Sequence, residues 1–108
     1  ISNNNGPGVL VRDSNDADVE ANLITGNCAG MFVLSTYADT SAVSARMNVV
    51  TANNRFCPAG VDGYPSFSGI GIGVAGAPDA DVNANLVSGN HASQPADLPS
   101  GDIVRLDG

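Results

Sequence analysis

Lysine and tryptophan are absent from this chain of 108 residues, histidine occurs once, and four Arg stand against eleven Asp and Glu. The resulting formal charge of −7 repels phosphate backbones and anionic lipid, so nucleic acid is not an expected partner. No apolar run approaches the length of a bilayer span, and no membrane crossing is expected. A zinc site has little to draw on, with one His and no Cys-x-x-Cys among the two Cys. A sustained helical period is missing too. The length suits one domain over 1–108. The chain opens on Ile1 with no basic-then-apolar leader, which reads as a processed product or as a segment of a longer chain.

What the chain does have is a repeated phrase. Asn22-Leu-Ile-Thr-Gly-Asn27, Asn48-Val-Val-Thr-Ala-Asn53 and Asn85-Leu-Val-Ser-Gly-Asn90 are three copies, and Ile1-Ser-Asn-Asn4 is a shortened fourth. Upstream of the full copies stand Val19-Glu-Ala, Ala45-Arg-Met and Val82-Asn-Ala, and before those Gly8-Val-Leu-Val11, Gly30-Met-Phe-Val33 and Gly69-Ile-Gly-Ile72. Each unit reads as short strand, turn, short strand, Asn turn, short strand, in β-branched residues alternating with small or polar ones. Ile1, Ile24, Val50 and Val87 lie 23, 26 and 37 positions apart. A base period near 23 with unequal additions is the pattern of stacked coils carrying loop insertions. Successive coils would rise by roughly 4.8 Å.

Stacking explains the asparagines. Equivalent side-chain amides on adjacent coils can hydrogen-bond to one another, and Asn tolerates the left-handed backbone of a tight turn. Two ladders are expected, Asn22/Asn48/Asn85 and Asn4/Asn27/Asn53/Asn90. Val19, Ala21, Ile24, Met47, Val50, Val82, Ala84 and Val87 should point inward, with Val9, Val11, Met31, Val33, Ile70 and Ile72 from the other strands. The faces of Ile103-Val-Arg-Leu106 stay open, because a slip of one residue reverses them. Glu20, Arg46 and Asn83 fall on equivalent outward positions, which predicts a Glu20–Arg46 ion pair between coils.

The pattern Val19, Asn22, Ile24, Asn27; Ala45, Asn48, Val50, Asn53; Val82, Asn85, Val87, Asn90 resembles the right-handed parallel β-helix repeat of the pectate-lyase-like superfamily. The resemblance covers nearly the whole chain and implies an all-β, single-stranded parallel β-helix of about four coils with loop insertions. It says less about function, since enzymes, adhesins and inert scaffolds share this repeat. Arginine is thought to act as the base in pectate lyases, which draws attention to Arg12, Arg55 and Arg105, but the residues around them do not match. The paired-carboxylate, Gly-His-Gly and Arg-x-Lys elements of the related polygalacturonases are missing.

Residues able to carry chemistry are sparse. Asn15-Asp-Ala-Asp18 and Pro78-Asp-Ala-Asp81 align, and carboxylates in that arrangement suit calcium, which takes six to eight oxygens. The coil between them offers only Ala42 and Ser44, which separates the two acid pairs by about 10 Å. No cofactor is therefore expected, calcium being the one cation that suits the residue types. Asp in a turn before a strand has an ordinary structural use. If the chain is catalytic, Asp79, Asp81, Arg12 and Arg46 are the first positions to test. His91 opens an insertion and would need a partner to act as a base, with Asp97 the nearest carboxylate in sequence. Ser35, Ser41 and Ser44 lack the spacing of a nucleophile elbow.

Cys28 and Cys57 each follow an Asn turn, one coil apart, close enough for a disulfide; two buried thiols are the alternative. A bridge implies an oxidising, extracellular setting. The chain has no Asn-x-Ser/Thr sequon, and the repeat family it resembles is mostly bacterial, so a secreted bacterial protein is expected. The insertions Arg55–Ser68 and His91–Ser100 interrupt the repeat at one phase and should project from one flank. Tyr37, Phe56, Tyr64 and Phe67 fall in or near such loops. Together with His91 they either offer a surface for a sugar ring or fold back to clamp their own loops. Three functions follow: a non-catalytic extracellular module contacting polysaccharide or neighbouring proteins through these loops, a subunit that stacks end to end with copies of itself into a filament, or a fragment of a polysaccharide lyase, hydrolase or epimerase.

Overall fold

The computed structural model describes residues 1–60 and 65–106. Every helix or strand among them is a strand: β1 (Pro7–Arg12), β2 (Asp18–Glu20), β3 (Leu23–Thr25), β4 (Ala29–Leu34), β5 (Ser44–Arg46), β6 (Val49–Thr51), β7 (Phe56–Cys57), β8 (Phe67–Ser68), β9 (Ile70–Ala75), β10 (Asp81–Asn83), β11 (Leu86–Ser88) and β12 (Gly101–Leu106). Three sheets are parallel, in the orders β1-β4-β9-β12, β2-β5-β10 and β3-β6-β11. The chain thus visits the three sheets in turn and comes back to the first one strand further on. We call each such pass a tier. The fold is all-β and β-helix-like.

Register follows the repeat. Val19, Ala45 and Val82 align across the second sheet, and Ile24, Val50 and Val87 across the third. Ile103 lies opposite Ile72, which sets the pairing of the last strand. Between the sheets Val11, Ile24, Met31, Val33, Ala45, Val50, Ile72 and Val74 form one buried cluster, with Val9, Val19, Val82 and Val87 partly buried against it. Phe32 alternates with Met31 and Val33, so it leaves the opposite face of the long sheet. There a second cluster gathers Cys28, Ala29, Phe32, Cys57, Phe67, Ile70 and Val104. Ile70 therefore belongs to this outer cluster and not beside Ile72.

Three of the residues expected inside are outside. Ala21, Met47 and Ala84 adopt φ of 60°, 57° and 54° and are exposed. Each directly precedes a ladder asparagine, and the second corner repeats the device with Asn3, Gly26, Ala52 and Gly89, all at positive φ. The left-handed residue is the one before the asparagine, not the asparagine itself. It reverses the chain sharply enough to turn the next side chain into the stack. The conformation costs a residue with a Cβ about 1 kcal/mol, which the hydrogen bonds of the following asparagine offset.

Those bonds run as expected. Asn22 donates its backbone N–H and its Nδ2 to Asn48 Oδ1, both at 3.0 Å, and Asn48 does the same to Asn85 at 2.9 and 3.0 Å. In the second ladder Asn4 donates to Asn27, Asn27 to Asn53 and Asn53 to Asn90, at 2.9–3.1 Å. One carbonyl oxygen takes two donors at every step, so each tier is tied to the next by a pair of bonds.

Where they are described, the two insertions fold back over the outer face of the long sheet instead of projecting from a flank. Cys28 and Cys57 form a disulfide, with Cα atoms 5.9 Å apart, that ties the start of the 54–69 insertion to the tier below. The two insertions also bind each other: Leu98 N–H donates to Ser66 O, Ser66 N–H to Asp97 Oδ2, Asp97 N–H to Ser66 Oγ and Ser93 N–H to Ser68 Oγ. Phe67 is fully buried, its ring centroid 5.1 Å from that of Phe32. The insertions lie over the outer face of the long sheet because that face carries Phe32 and Ile70, which would otherwise meet water.

Candidate functional site

The connections that leave the other end of the long sheet, residues 13–17, 35–43 and 76–80, gather on one side of the stack. Asp13 organises them. At a φ of 54° its Oδ1 accepts the backbone N–H groups of Thr36 at 2.6 Å, Tyr37 at 3.1 Å and Ala38 at 3.3 Å. These donors hold its carboxyl below the ordinary value of 3.8, the Thr36 N–H most of all, with a smaller contribution from the Arg12 guanidinium.

The rest of the connection is fastened from within. Thr40, buried, donates its hydroxyl to Leu34 O at 2.6 Å and receives the Ser14 N–H. Ser35 Oγ accepts the Thr40 N–H and donates to Gly76 O at 2.7 Å, reaching the next tier. Ser41 donates its hydroxyl to Asn15 Oδ1 at 2.7 Å. Asp79 Oδ2 accepts the N–H of Ala42, itself at a φ of 54°. Against this scaffold Tyr37 stands out with 91% of its surface exposed.

Beside the loop that carries Tyr37 lies a cleft of about 380 Å³ lined by Asp39, Thr40, Ser41, Gly76, Pro78 and Asp79. Two carboxylates and hydroxyl groups at a cleft, with a free aromatic ring two residues along the same loop, make a surface suited to a ligand rich in hydroxyl groups. Carboxylates accept hydrogen bonds from such a ligand, and an exposed ring offers an apolar face.

Among the described residues no three of His, Cys, Asp and Glu are placed to hold a metal ion together. Asp16 and Asp18 sit one tier below Ala42 and Ser44, as Asp18 pairs with Ser44 in register. Asp81, one tier above Ser44, receives a hydrogen bond from Asn83 Nδ2 at 2.5 Å. Arg46 Nη2 lies 3.1 Å from Glu20 and 4.0 Å from Asp18, so the ion pair between tiers forms. Arg12 ends β1 and is exposed. Of the four positions named as catalytic candidates, Arg46 and Asp81 lie on β5 and β10 of the second sheet, Asp79 two residues before β10, and Arg12 at the end of β1 in the long sheet.

Of the proposed binding residues, Phe56 and Phe67 lie on the paired strands β7 and β8 with His91 hydrogen-bonded to Asn54 next to them, whereas Tyr37 stands on a connection at the other end of the long sheet. Phe67 is in the outer cluster and Phe56 is half-buried in β7. His91 is exposed, with its backbone N–H on Asn54 Oδ1 at 2.8 Å. Asp97, the carboxylate nearest to it in sequence, is engaged with Ser66 instead. Tyr64 lies outside the described residues. Among the described members of the set, Tyr37 is the aromatic both exposed and mounted on a fastened loop. From the sequence Asp13 stands out only as the start of the run Asp13–Asp18, which fails as a calcium loop because Ala17 sits where a ligand is needed and no Gly follows; its role as an acceptor for three amides leaves no sign there beyond an Asp where a strand gives way to a turn. No protein-family model matches the chain, and neither a curated protein nor a solved structure matches it.

Proposed function

We propose that this chain is a short right-handed, single-stranded β-helix module of the pectate-lyase-like kind, secreted by a bacterium, and that it binds a neutral polysaccharide without acting on it. The observation that carries the binding reading is Tyr37, exposed over 91% of its surface while three consecutive amides around it are held by one carboxylate oxygen. A ring kept in water on a fastened backbone loses little freedom when a ligand stacks on it, which favours binding. The neighbouring Asp39, Ser41 and Asp79 supply acceptors for sugar hydroxyls. A charge of −7 disfavours acidic glycans and so selects neutral ones. The disulfide supports an oxidising location, and among the described residues no helix is long and apolar enough to cross a membrane.

The test is affinity electrophoresis and calorimetry against arabinoxylan, galactomannan, mixed-linkage β-glucan and hydroxyethyl cellulose, with polygalacturonate as the acidic control. Retardation by at least one neutral polymer is expected. Tyr37→Ala should weaken it about tenfold, the equivalent of roughly 1.4 kcal/mol, without moving the melting temperature. Absence of binding to all four, or equal binding by Tyr37→Ala, defeats the reading.

A further inference from the structure

The ladder through Asn4, Asn27, Asn53 and Asn90 does not finish on an asparagine. Asp102 Oδ1 accepts the Asn90 backbone N–H and the Asn90 Nδ2, both at 3.0 Å. These are the same two bonds that Asn90 Oδ1 takes from Asn53, at 2.9 Å each. The acceptor comes from a different part of the chain, however. Every earlier acceptor sits at the corner after the third sheet, whereas Asp102 belongs to β12 of the long sheet.

Its place in that sheet has a second meaning. Gly8, Gly30, Gly71 and Asp102 form one column across β1, β4, β9 and β12, each just after an aligned residue of the column Pro7, Ala29, Ile70 and Gly101. A Cβ at Gly8 would lie 2.9 Å from Gly30 O, one at Gly30 would lie 2.5 Å from Gly71 O, and one at Gly71 would lie 2.2 Å from Asp102 O. Real Cβ atoms do not approach a backbone oxygen so closely. Glycine recurs in this column because the carbonyl of the following tier occupies the space of a side chain. The same three glycines face the ladder, with Asn27, Asn53 and Asn90 Nδ2 at 2.8, 3.2 and 2.9 Å from the Cβ positions. Asp102 is the member of the column that has a Cβ.

From these two observations we infer that Asp102 closes the β12 side of the stack to in-register addition of another tier. Its carboxylate fills the acceptor place that the next asparagine would take, and its Cβ stands where the next tier's carbonyl would lie. The closure applies to a second copy offering Asn4 and Gly8. Head-to-tail stacking into a filament is blocked at this end. The inference is independent of what Tyr37 binds.

Three variants test it. Asp102→Asn keeps the acceptor and the Cβ, Asp102→Ala keeps only the Cβ, and Asp102→Gly removes both. Light scattering over a concentration series should give the mass of one copy for the unaltered protein, Asp102→Asn and Asp102→Ala, and a mass at least doubled at the top concentration for Asp102→Gly. In Asp102→Ala the Asn90 amide should exchange with deuterium at least tenfold faster, as it loses its acceptor. A single-copy mass for a folded Asp102→Gly, or end-to-end particles from the unaltered protein, overturns the closure. Should Asp102→Gly fail to fold, Asp102→Ala decides: unchanged Asn90 exchange, or association of that variant, overturns it.

Discussion

The two asparagine corners follow one local rule and sit in different surroundings. Between β2 and β3 a left-handed Ala or Met precedes Asn22, Asn48 and Asn85, and the turn has the same length in every tier. Between β3 and the long sheet a left-handed Gly, Ala or Asn precedes Asn27, Asn53, Asn90 and Asn4, and two long insertions follow the corner. The bonds between tiers are alike in length at both. Burial of the bonds is not: those linking Asn27, Asn53 and Asn90 are buried, while those linking Asn22, Asn48 and Asn85 are partly buried, although Asn48 itself is 1% exposed; Asn4, which opens the second ladder, is exposed. The repeated residues make the hydrogen bonds, and the unrepeated ones decide how far those bonds lie from water. A hydrogen bond contributes little net stability in reach of solvent, and its loss costs more when the group left behind cannot be hydrated.

The comparison can be broken from its covered side. Reducing the Cys28–Cys57 bridge, which spans 29 residues, frees the unfolded chain by about 3.5 kcal/mol on the loop-entropy account. Urea melts with and without reductant should show that loss. Protection of the Asn27 and Asn53 amides should fall more than protection of Asn22 and Asn48, because the bridge joins Cys28, directly after Asn27, to Cys57, four residues after Asn53. A smaller effect separates both corners from the rim that carries Tyr37. Asp13 has a carboxyl lowered from 3.8 in the folded state, so its contribution is complete above that value and disappears as the pH falls from there through the lowered one. Amide resonances of Thr36, Tyr37 and Ala38 should therefore move in that acidic window while the ladder amides do not. In Asp13→Asn the movement should vanish.

Much of this was legible in the sequence where adjacent tiers superpose equivalent residues. Both ladders, the Cys28–Cys57 bridge and the Glu20–Arg46 pair come from one alignment, because a rise of about 4.8 Å brings aligned residues into contact. The left-handed positions were not legible. Ala21, Met47 and Ala84 are apolar, carry no turn signature, and alternate in phase with the interior, so periodicity alone sends them inward. The packing of Phe67 and Ile70 in an outer cluster was equally hidden, since it depends on two insertions meeting each other over a sheet face. Asp13 and Asp102 act once each. Neither recurs from tier to tier, so neither stands out by repetition, although Asp102 breaks a column of glycines.

The most direct test sets the two corners against each other within one tier. Asn48 and Asn53 are both buried, and each accepts a backbone N–H and an Nδ2 from the tier below, but the donor Asn22 is half-exposed and the donor Asn27 is completely buried, so Asn48→Ala and Asn53→Ala strand equivalent donors in different surroundings. Urea unfolding of the two variants beside the unaltered protein gives the difference. A loss of about 3 kcal/mol for Asn53→Ala against about 1.5 kcal/mol for Asn48→Ala is expected, since only the first strands buried donors away from water. Equal losses, or a greater loss for Asn48→Ala, would contradict the claim that the bonds of the second ladder are the ones kept from water.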